Sequence, residues 1–444
     1  MLEAAIPWQI LGVLIIFALL IVLATGMPIA FSLGLLSFAF LFFTIGVKPT
    51  VVQAAIVSFN MMNEMVLVAV PLFIFMAEII MFSGVSRDLF DFANKWLGRF
   101  PGGLAQASNG AAGVFAAVCG ASVATAATVG LIAIPEMMDK GYDKRLAVGA
   151  VAAGGSIGIL IPPSIPMILY CFVTEQSVGQ MFMAGFIPGV ISVFVYFSGI
   201  ALRCIVNPNL APKGPPVSWG TRIASLRKVW STLLLILCVM GSIYLGVATP
   251  TEAAAVGAFG AILLAIVYHR LNWQNMKGAM LRAIQTNCFI MLIVISASLF
   301  GYLLSYLRIP QQLTEFMLTL EVNRWIVMFI IMVILLVMGM FLEIASIIFL
   351  TMPIIYPVIA GLGFDPIWFG IVLVINMEMA VITPPVGLNL YVIRGISEPY
   401  GVTLGDVIRG ILPFLPLDFI RMGIMLAFPP LSLWLPSKMI TIGR

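Results

Sequence analysis

A pair of prolines inside an apolar run, Pro162 and Pro163, most constrains how this chain can fold. The surrounding stretch, residues 154–170, reads GGSIGILIPPSIPMILY and is otherwise apolar. Each proline removes a backbone donor, so a continuous α-helix cannot pass through the pair. In lipid, broken backbone is tolerated only where protein buries it or where it lines a wet cavity. The stretch therefore predicts a broken helix of the kind that holds ions and substrates in secondary transporters.

The same arrangement recurs in residues 376–391, NMEMAVITPPVGLNLY, where Pro384 and Pro385 interrupt a second apolar run. The second pair follows the first by half the length of the 444-residue chain. Other landmarks keep this half-length offset, namely Trp8 with Trp230, Pro28 with Pro250, and Pro135 with Pro357. Two homologous halves of equal length follow from this periodicity.

The composition restricts the fold to an all-α polytopic membrane protein. Hydrophobic residues make up 62% of the chain and charged residues 9%, and the mean hydropathy is +1.15. No soluble fold could hide this much apolar surface. The long Leu, Ile, Phe and Met runs lack the alternation of a lipid-facing barrel strand. The first apolar run, residues 6–24, has no basic region before it and is interpreted as a retained span rather than a signal peptide.

Residues that could support enzyme chemistry are sparse. The single histidine, His269, follows an apolar segment beside Arg270 and is interpreted as a membrane-interface residue. No nucleophile elbow, phosphate loop or nucleic-acid signature is present in the right context. The cysteines are scattered without metal-ligand spacing and are interpreted as packing residues: Cys119, Cys171, Cys204, Cys238 and Cys288.

The predicted halves are residues 1–206 and 229–444, joined by a basic, Pro-rich linker at 207–228. Each half is predicted to contain three spans, an amphipathic interfacial stretch, a re-entrant helical hairpin of small or apolar residues, a broken span and a final span. In the first half these segments are 8–26, 28–46, 67–83, 86–100, 101–139, 145–175 and 179–206. In the second half they are 229–247, 250–268, 284–305, 310–320, 323–360, 366–396 and 406–430.

The number of spans predicts how the halves are oriented. If each hairpin returns to its own side, each half crosses the membrane five times. An odd number of crossings turns the second half upside down and gives two inverted-topology repeats. With the amino terminus outside, 16 of the 22 Lys and Arg residues fall in cytoplasmic segments and five fall outside, with Arg421 unplaced in the last span. This charge distribution favours a topology with both termini facing away from the cytoplasm.

Oxygen-bearing groups are concentrated at the predicted hairpin tips and helix breaks. Helix N-termini there would offer N–H groups to a carboxylate, and C-termini would offer carbonyls to a cation. Sodium suits such weakly charged oxygen sites, since no imidazole or thiolate is nearby, although protons stay an alternative coupling ion. The candidate Na⁺ ligands are Ser122, Thr125, Ser156, Pro162, Ser346, Asn376, Thr383 and Gly387. The candidate substrate contacts are Ser122, Ser164, Glu343 and Asn389.

Two acids lie within these regions. Glu343 is predicted to lie deep in the second hairpin, and Glu378 occupies the position that matches Ser156 in the first half. Acids at membrane depth are functional by default. Each acid could instead only pair with a neighbouring basic or hydroxyl group. Similarly, the small residues of SVATAATVG at 122–130 could serve close helix packing alone.

The sequence resembles a known transporter family. GASVATAATVG, GGSIGILIPPSIPMILY and VITPPVGLNLYV, with the duplicated layout, resemble the large membrane subunit of tripartite ATP-independent periplasmic (TRAP) transporters. The resemblance implies an elevator-type, sodium-coupled importer of an organic acid, such as a C4-dicarboxylate or sialic acid, in the bacterial inner membrane. It implies a periplasmic substrate-binding protein and a small four-helix membrane subunit as partners. Because Met1 leads directly into the first span, we expect the small subunit to be a separate polypeptide.

Gly, Ser and Pro are concentrated in the hairpins and broken helices, whereas long Leu, Ile and Phe runs form the other spans. This split predicts a mobile transport part, residues 101–175 and 323–396, and a scaffold formed by the remainder. An alternative is a stand-alone carboxylate or anion transporter of the wider ion-transporter superfamily, which works without a binding protein. An intramembrane enzyme is disfavoured because no catalytic dyad lies at membrane depth. A transporter without organic cofactor or nucleic-acid partner is therefore expected.

Overall fold

A computed structural model describes residues 7–319 and 322–439 of the chain. All regular secondary structure in these two ranges is helical. Seven helical segments, of 18 to 34 residues, are long and apolar enough to cross a membrane, with residues 404–427 counted as one segment. The prediction of an all-α polytopic membrane protein is therefore confirmed.

The helices are named in chain order. In the first half they are α1 (Trp8–Ala24), α2 (Ile29–Ile45), α3 (Val47–Met62), α4 (Met65–Phe82), α5 (Val85–Leu97), α6 (Gly103–Cys119), α7 (Ser122–Asp139), α8 (Lys144–Ser156), α9 (Ile165–Thr174) and α10 (Val178–Val206). In the second half they are α11 (Trp219–Tyr244), α12 (Pro250–Val267), α13 (Trp273–Tyr306), α14 (Ile309–Thr319), α15 (Arg324–Gly339), α16 (Ile344–Gly361), α17 (Pro366–Ala380), α18 (Leu388–Ser397), α19 (Leu404–Ile411), α20 (Leu415–Ala427) and α21 (Pro430–Ser437).

Local sequence explains where several helices begin. The Asp143 carboxylate accepts hydrogen bonds from the backbone N–H groups of Arg145 and Leu146, which starts α8. Thr249 and Glu252 cap α12 reciprocally, with Pro250 at its first position. These caps satisfy N–H groups that a helix start otherwise leaves without partners. The chain therefore carries its own start signals at both a broken span and a scaffold helix.

Two spans differ from the prediction. No helix was predicted between residues 46 and 67, where the structure has α3, because VKPTVVQAAIVSFNMM is less apolar than its neighbours. The last predicted span, 406–430, is divided into α19 and α20 by a turn at residues 412–414 that contains Pro413, which cannot continue a helix. At α3 and at the turn that contains Pro413, the start or end of a helix depends on single residues. A search for long apolar runs does not detect their effect.

The order of helices in the second half follows that in the first. Helix α16 begins half a chain length after α7, at positions 344 and 122, and α17 follows α8 by the same offset, at positions 366 and 144. Shifted likewise, α3 and α4 cover residues 269–304, close to the continuous helix α13. The correspondence is one of element order and length. The inverted orientation of the halves stays a prediction.

The helices pack in two groups. Helices α2, α4, α11, α12 and α13 contact one another and form one group. Helices α6, α7, α8 and α9 contact α10, α16, α18 and α19, and α15 and α20 contact α17. The groups meet where α4 contacts α6 and α9, where α13 contacts α16 and where α10 contacts α11, and α5 bridges them by contacting both α6 and α11. The hairpins and broken helices therefore share one packed body that borders the other group.

Close packing in the first group depends on Gly257 of α12. A Cβ atom at Gly257 would lie 2.7 Å from Met76 Sδ of α4, whereas a Cβ at Gly241 of α11 would meet nothing within 4 Å. We expect Gly257→Leu to destabilise the protein by about 1–3 kcal/mol through overpacking. Thermal unfolding of the purified protein in nanodiscs, followed by tryptophan fluorescence, measures this effect. The matched control Gly241→Leu should unfold at the wild-type temperature, and equal behaviour of the two variants would contradict the prediction.

Candidate functional site

The tip of the first hairpin lies against the first helix break. Helix α8 ends at Ser156 and α9 begins at Ile165, so the residues around the first proline pair are not α-helical. The Ile165 N–H donates a hydrogen bond to the carbonyl oxygen of Gly120, at 3.2 Å. Gly120 has a φ of +62°, and a Cβ there would lie 2.6 Å from the carbonyl oxygen of Pro163. Only glycine therefore permits this approach of tip to break.

The second half contains the equivalent contact. Helix α17 ends at Ala380 and α18 begins at Leu388, with the second proline pair between them. The Gly387 N–H donates a hydrogen bond to the carbonyl oxygen of Met340, at the tip between α15 and α16, at 3.0 Å. The two donor residues, Ile165 and Gly387, occupy equivalent positions of the two halves, half a chain length apart. Each hairpin tip thus meets the break of its own half through a backbone hydrogen bond.

The predicted hydroxyl groups lie close to the tips and breaks, and most point back to the backbone. Ser122 is buried at the first position of α7. Four of the other five hydroxyls each donate to a carbonyl: Thr125 to Ala121 at 2.8 Å, Ser156 to Ala153 at 2.8 Å, Ser164 to Ile159 at 2.5 Å, and Thr383 to Met379 at 2.5 Å. Because a hydroxyl oxygen has two lone pairs beyond its one proton, each can still accept a cation.

Three predicted residues carry buried polar atoms without a hydrogen-bond partner among the described residues. These atoms are Ser346 Oγ, Asn376 Oδ1, and both Oδ1 and Nδ2 of Asn389. Asn376 Nδ2 donates to the carbonyl oxygen of Met332 at 2.8 Å and so joins α17 to the hairpin helix α15. Native proteins leave few buried polar groups unsatisfied, so each such atom indicates an additional partner.

Glu343 lies at the tip of the second hairpin, in the turn between α15 and α16. Its side chain is exposed at the tip and caps α16, with the carboxylate accepting the Ser346 N–H at 3.3 Å. A residue that precedes a helix folds its oxygen back onto the first free N–H groups, which keeps it at the turn. Its predicted contact with substrate stays a prediction.

Glu378 belongs to a buried cluster of charges that the sequence interpretation missed. Arg421 of α20 forms ion pairs with Glu378 of α17 and with Asp418, the latter at 2.9 Å from Nε to Oδ1. The Tyr196 hydroxyl of α10 donates to Asp418 Oδ1 at 2.6 Å and lies 3.4 Å from Ser156 Oγ. All five side chains are at most 1% exposed. Of the two alternatives for Glu378, the structure therefore shows the pairing one.

The repeat offset is a signal in the sequence that points to this cluster. Tyr196 and Asp418 are half a chain length apart, so equivalent positions of the two halves bond directly to each other. Ser156 and Glu378 are related by the same offset. A search for carboxylates in apolar spans that have a polar residue at the equivalent position of the other half would have found Asp418 as well as Glu378. Arg421 has glycine, Gly199, at the equivalent position and gives no such signal.

Conventional metal and thiol chemistry is not a feature of the described chain. No group of three or more His, Cys, Asp or Glu side chains that could hold a metal ion occurs in residues 7–319 and 322–439. The five cysteines are free, with Cys119, Cys171 and Cys204 buried and Cys238 and Cys288 exposed. Oxygen ligands from hydroxyl, amide and backbone groups are the ones that the site offers, and these suit a hard monovalent cation.

Comparison with known families decides what kind of protein this is. Residues 15–431 match the family model described as "Tripartite ATP-independent periplasmic transporter, DctM component". The chain belongs to this family. It is a large permease subunit of a TRAP transporter, a multi-pass protein of the bacterial inner membrane and not an enzyme. The family is one of three-part systems, which implies a periplasmic binding protein and a small membrane subunit as partners.

Similar permeases differ in the compounds that their names report. The chain is 38% identical over 384 residues to the C4-dicarboxylate TRAP transporter large permease protein DctM of Pseudomonas aeruginosa, covering 86% of this chain and 89% of that protein. It is 30% identical over 431 residues to the sialic acid TRAP transporter large permease protein SiaM of Vibrio cholerae, covering 97% and 99%. Among solved structures, the Alcanivorax borkumensis YdaH transporter matches with a TM-score of 0.63 at 15% identity, covering 88% of this chain and 89% of that one. This last likeness concerns the fold alone.

We expect Arg421→Met to destabilise the permease by about 3–5 kcal/mol, because it leaves two buried carboxylates without their counter-charge. The exposed Arg409, which makes no ion pair within the described residues, provides the control Arg409→Met. Adding Glu378→Gln to Arg421→Met removes one of the unpaired charges and should recover part of the loss. Thermal unfolding in nanodiscs of the wild type, Arg421→Met, Glu378→Gln, the double variant and the Arg409→Met control measures these differences. Additive effects of the two cluster substitutions would contradict the pairing.

Proposed function

We propose that this permease imports an organic acid together with Na⁺, taking the acid from a periplasmic binding protein and moving it by an elevator mechanism. Membership of the TRAP family supports delivery by a binding protein over the stand-alone alternative. Relatives named as C4-dicarboxylate and sialic acid permeases support an anionic organic substrate.

The observation that carries the proposal is the meeting of each hairpin tip with the break of its own half. The Gly120 and Met340 carbonyls accept hydrogen bonds from Ile165 and Gly387 at the two contacts. Each contact gathers the start of a hairpin helix and the ends of a broken helix, which are sources of free N–H and carbonyl groups. Free N–H groups favour a carboxylate and free carbonyls favour a small cation. The two contacts therefore have the chemistry for both cargo types.

Sodium is the coupling ion best supported by the ligand atoms. The unpartnered oxygens of Ser346, Asn376 and Asn389 are neutral and buried. Neutral oxygens suit a cation that holds one charge, whereas the absence of a His, Cys, Asp or Glu group among the described residues disfavours transition metals. We retain the predicted Na⁺ ligands Ser122, Thr125, Ser156, Pro162, Ser346, Asn376, Thr383 and Gly387. We retain the predicted substrate contacts Ser122, Ser164, Glu343 and Asn389.

The moving part is proposed to be larger than residues 101–175 and 323–396. The Tyr196–Asp418 hydrogen bond and the Arg421–Glu378 ion pair join α10 and α20 to the broken helix α17. Separating such buried charges would leave them without partners in a membrane interior, at a cost of several kcal/mol. Helices α10, α19 and α20 therefore move with the hairpins. In this proposal the two halves have inverted topology, and both termini face the periplasm.

Sodium coupling is tested in vesicles that contain the permease with its small membrane subunit, supplied with the loaded binding protein. An inward Na⁺ gradient should drive uptake, with more than one Na⁺ entering per acid, as measured with radiolabelled substrate and ²²Na⁺. Replacing Na⁺ by choline at equal pH on both sides should abolish uptake. Full uptake in choline would refute sodium coupling.

Ser346→Ala tests the site at the second tip. Removal of an unpartnered hydroxyl should leave folding unchanged, but loss of a ligand worth about 1 kcal/mol should raise the Na⁺ concentration for half-maximal uptake about fivefold. Thr351 lies on the same helix, and its hydroxyl donates to the carbonyl oxygen of Ile347 at 2.8 Å. The control Thr351→Val should therefore keep the wild-type Na⁺ dependence. An unchanged Na⁺ dependence in Ser346→Ala would remove this residue from the site.

A further inference from the structure

A cavity of about 780 Å³ opens between three parts of the chain. One wall is the turn from α4 to α5, the second is the turn from α12 to α13 with the start of α13, and the third is the middle of the hairpin helix α7. The side that these turns occupy is the predicted cytoplasmic side. The titratable side chains that line the cavity are Arg87, Asp88, His269, Arg270 and Arg282.

The cavity carries an excess of positive charge. Asp88 is paired with Arg270 at 2.5 Å, and Arg270 also donates to the carbonyl oxygen of Ser83 at 3.2 Å. Arg87 and Arg282 are exposed, and neither forms an ion pair with any residue in the described ranges. The Arg282 guanidinium carbon lies 4.9 Å from the ring centre of Phe82, which orients the side chain along the wall. Two guanidinium groups thus remain available to an anion.

The third wall connects the cavity to the first hairpin tip. Thr128 of α7 lines the cavity and contacts Met81 of α4 at 3.4 Å from Oγ1 to Sδ. Thr128 lies six residues after Ser122, which is about 9 Å along the helix at 1.5 Å per residue. Glu78 is the one carboxylate of α4 and lies about one helical turn before Met81. Even with Glu78 counted beside Asp88, the three arginines leave the cavity with an excess of positive charge.

We propose that this cavity is an exit-side anion site, in which Arg87 and Arg282 bind a carboxylate of the transported acid after it leaves the first hairpin tip. The proposal rests on the proposed function. Guanidinium groups bind carboxylates through paired, charge-assisted hydrogen bonds. The α7 wall belongs to the moving body and the other walls belong to the scaffold, so the site is complete only while the hairpin lies beside α4 and α5. The acid then reaches the cytoplasm in two steps rather than directly.

A cysteine in the cavity reports its charge and its occupant. Leu131 of α7 lines the cavity and is 64% exposed, so Leu131→Cys is accessible to thiosulfonate reagents once the exposed Cys238 and Cys288 are replaced by serine. The permease and its small subunit are placed in zwitterionic nanodiscs, and the rate of reaction with a negatively charged reagent is divided by the rate with a positively charged one. This ratio should be several-fold higher than in the variant that carries Arg87→Gln and Arg282→Gln. The surface change Arg409→Gln is the control and should leave the ratio unchanged. A ratio that is the same with and without the two arginines would overturn the proposal.

Occupancy is tested with succinate and N-acetylneuraminate as probes. Either probe should slow the modification of Leu131→Cys, and the slowing should disappear in the double arginine variant. Failure of both probes to slow it overturns the proposal. If phosphatidylglycerol in the nanodiscs slows the reaction while neither probe does, the cavity binds a lipid headgroup and the proposal is equally overturned.

Uptake measurements separate this proposal from the proposed function. Sodium-dependent uptake by the wild-type protein, together with unaltered labelling in the arginine variants, would retain the proposed function and reject the exit site. Slowing of the reaction by the probes, together with uptake that does not need sodium, would retain the exit site as an anion site and reject sodium coupling.

Discussion

The bilayer interior offers no water to a broken helix, and the arrangement of this permease depends on that constraint. Each proline pair interrupts a span and leaves backbone groups without intrahelical partners. The hairpin tips supply partners for some of these backbone groups. The Ile165 N–H donates a hydrogen bond to the Gly120 carbonyl, and the Gly387 N–H donates one to the Met340 carbonyl. The two contacts thus supply backbone partners at both breaks, and the ligands proposed for the cargo lie in or near the same segments.

The charge cluster around Arg421 serves the same body in a different way. Its members come from α10, α17 and α20, so it connects helices that are distant in the chain. A buried ion pair adds little net stability by itself, but breaking it is costly. The cluster therefore acts chiefly against separation of these helices. In the proposed elevator mechanism, this resistance keeps the moving part together. The cluster lies adjacent to Ser156, at the end of α8 before the first break.

Different polar groups lie near the two hairpins. Neutral oxygens of Ser346, Asn376 and Asn389 are buried in the second half, whereas Arg87 and Arg282 line the cavity that α7 of the first half borders. Neutral ligands bind a cation without holding it so strongly that it cannot leave. Exposed guanidinium groups attract an anion, but the water around them screens each contact. The anion can therefore leave them for the solvent. The arrangement is suited to binding at the tips and release beyond them.

The sequence by itself determined the membrane class, the repeat at half the chain length, the two breaks and the segments that form the hairpins. These follow from apolar run length and from proline, whose effects are local. It did not reveal α3 or the turn at Pro413, where single-residue propensities decide. Only the tertiary structure showed that Glu343 caps α16, that Arg421 pairs with Glu378, and that Arg87 and Arg282 share a cavity. Such pairings join residues from different helices, and the helical pattern of a sequence says which face is apolar but not which distant face it meets.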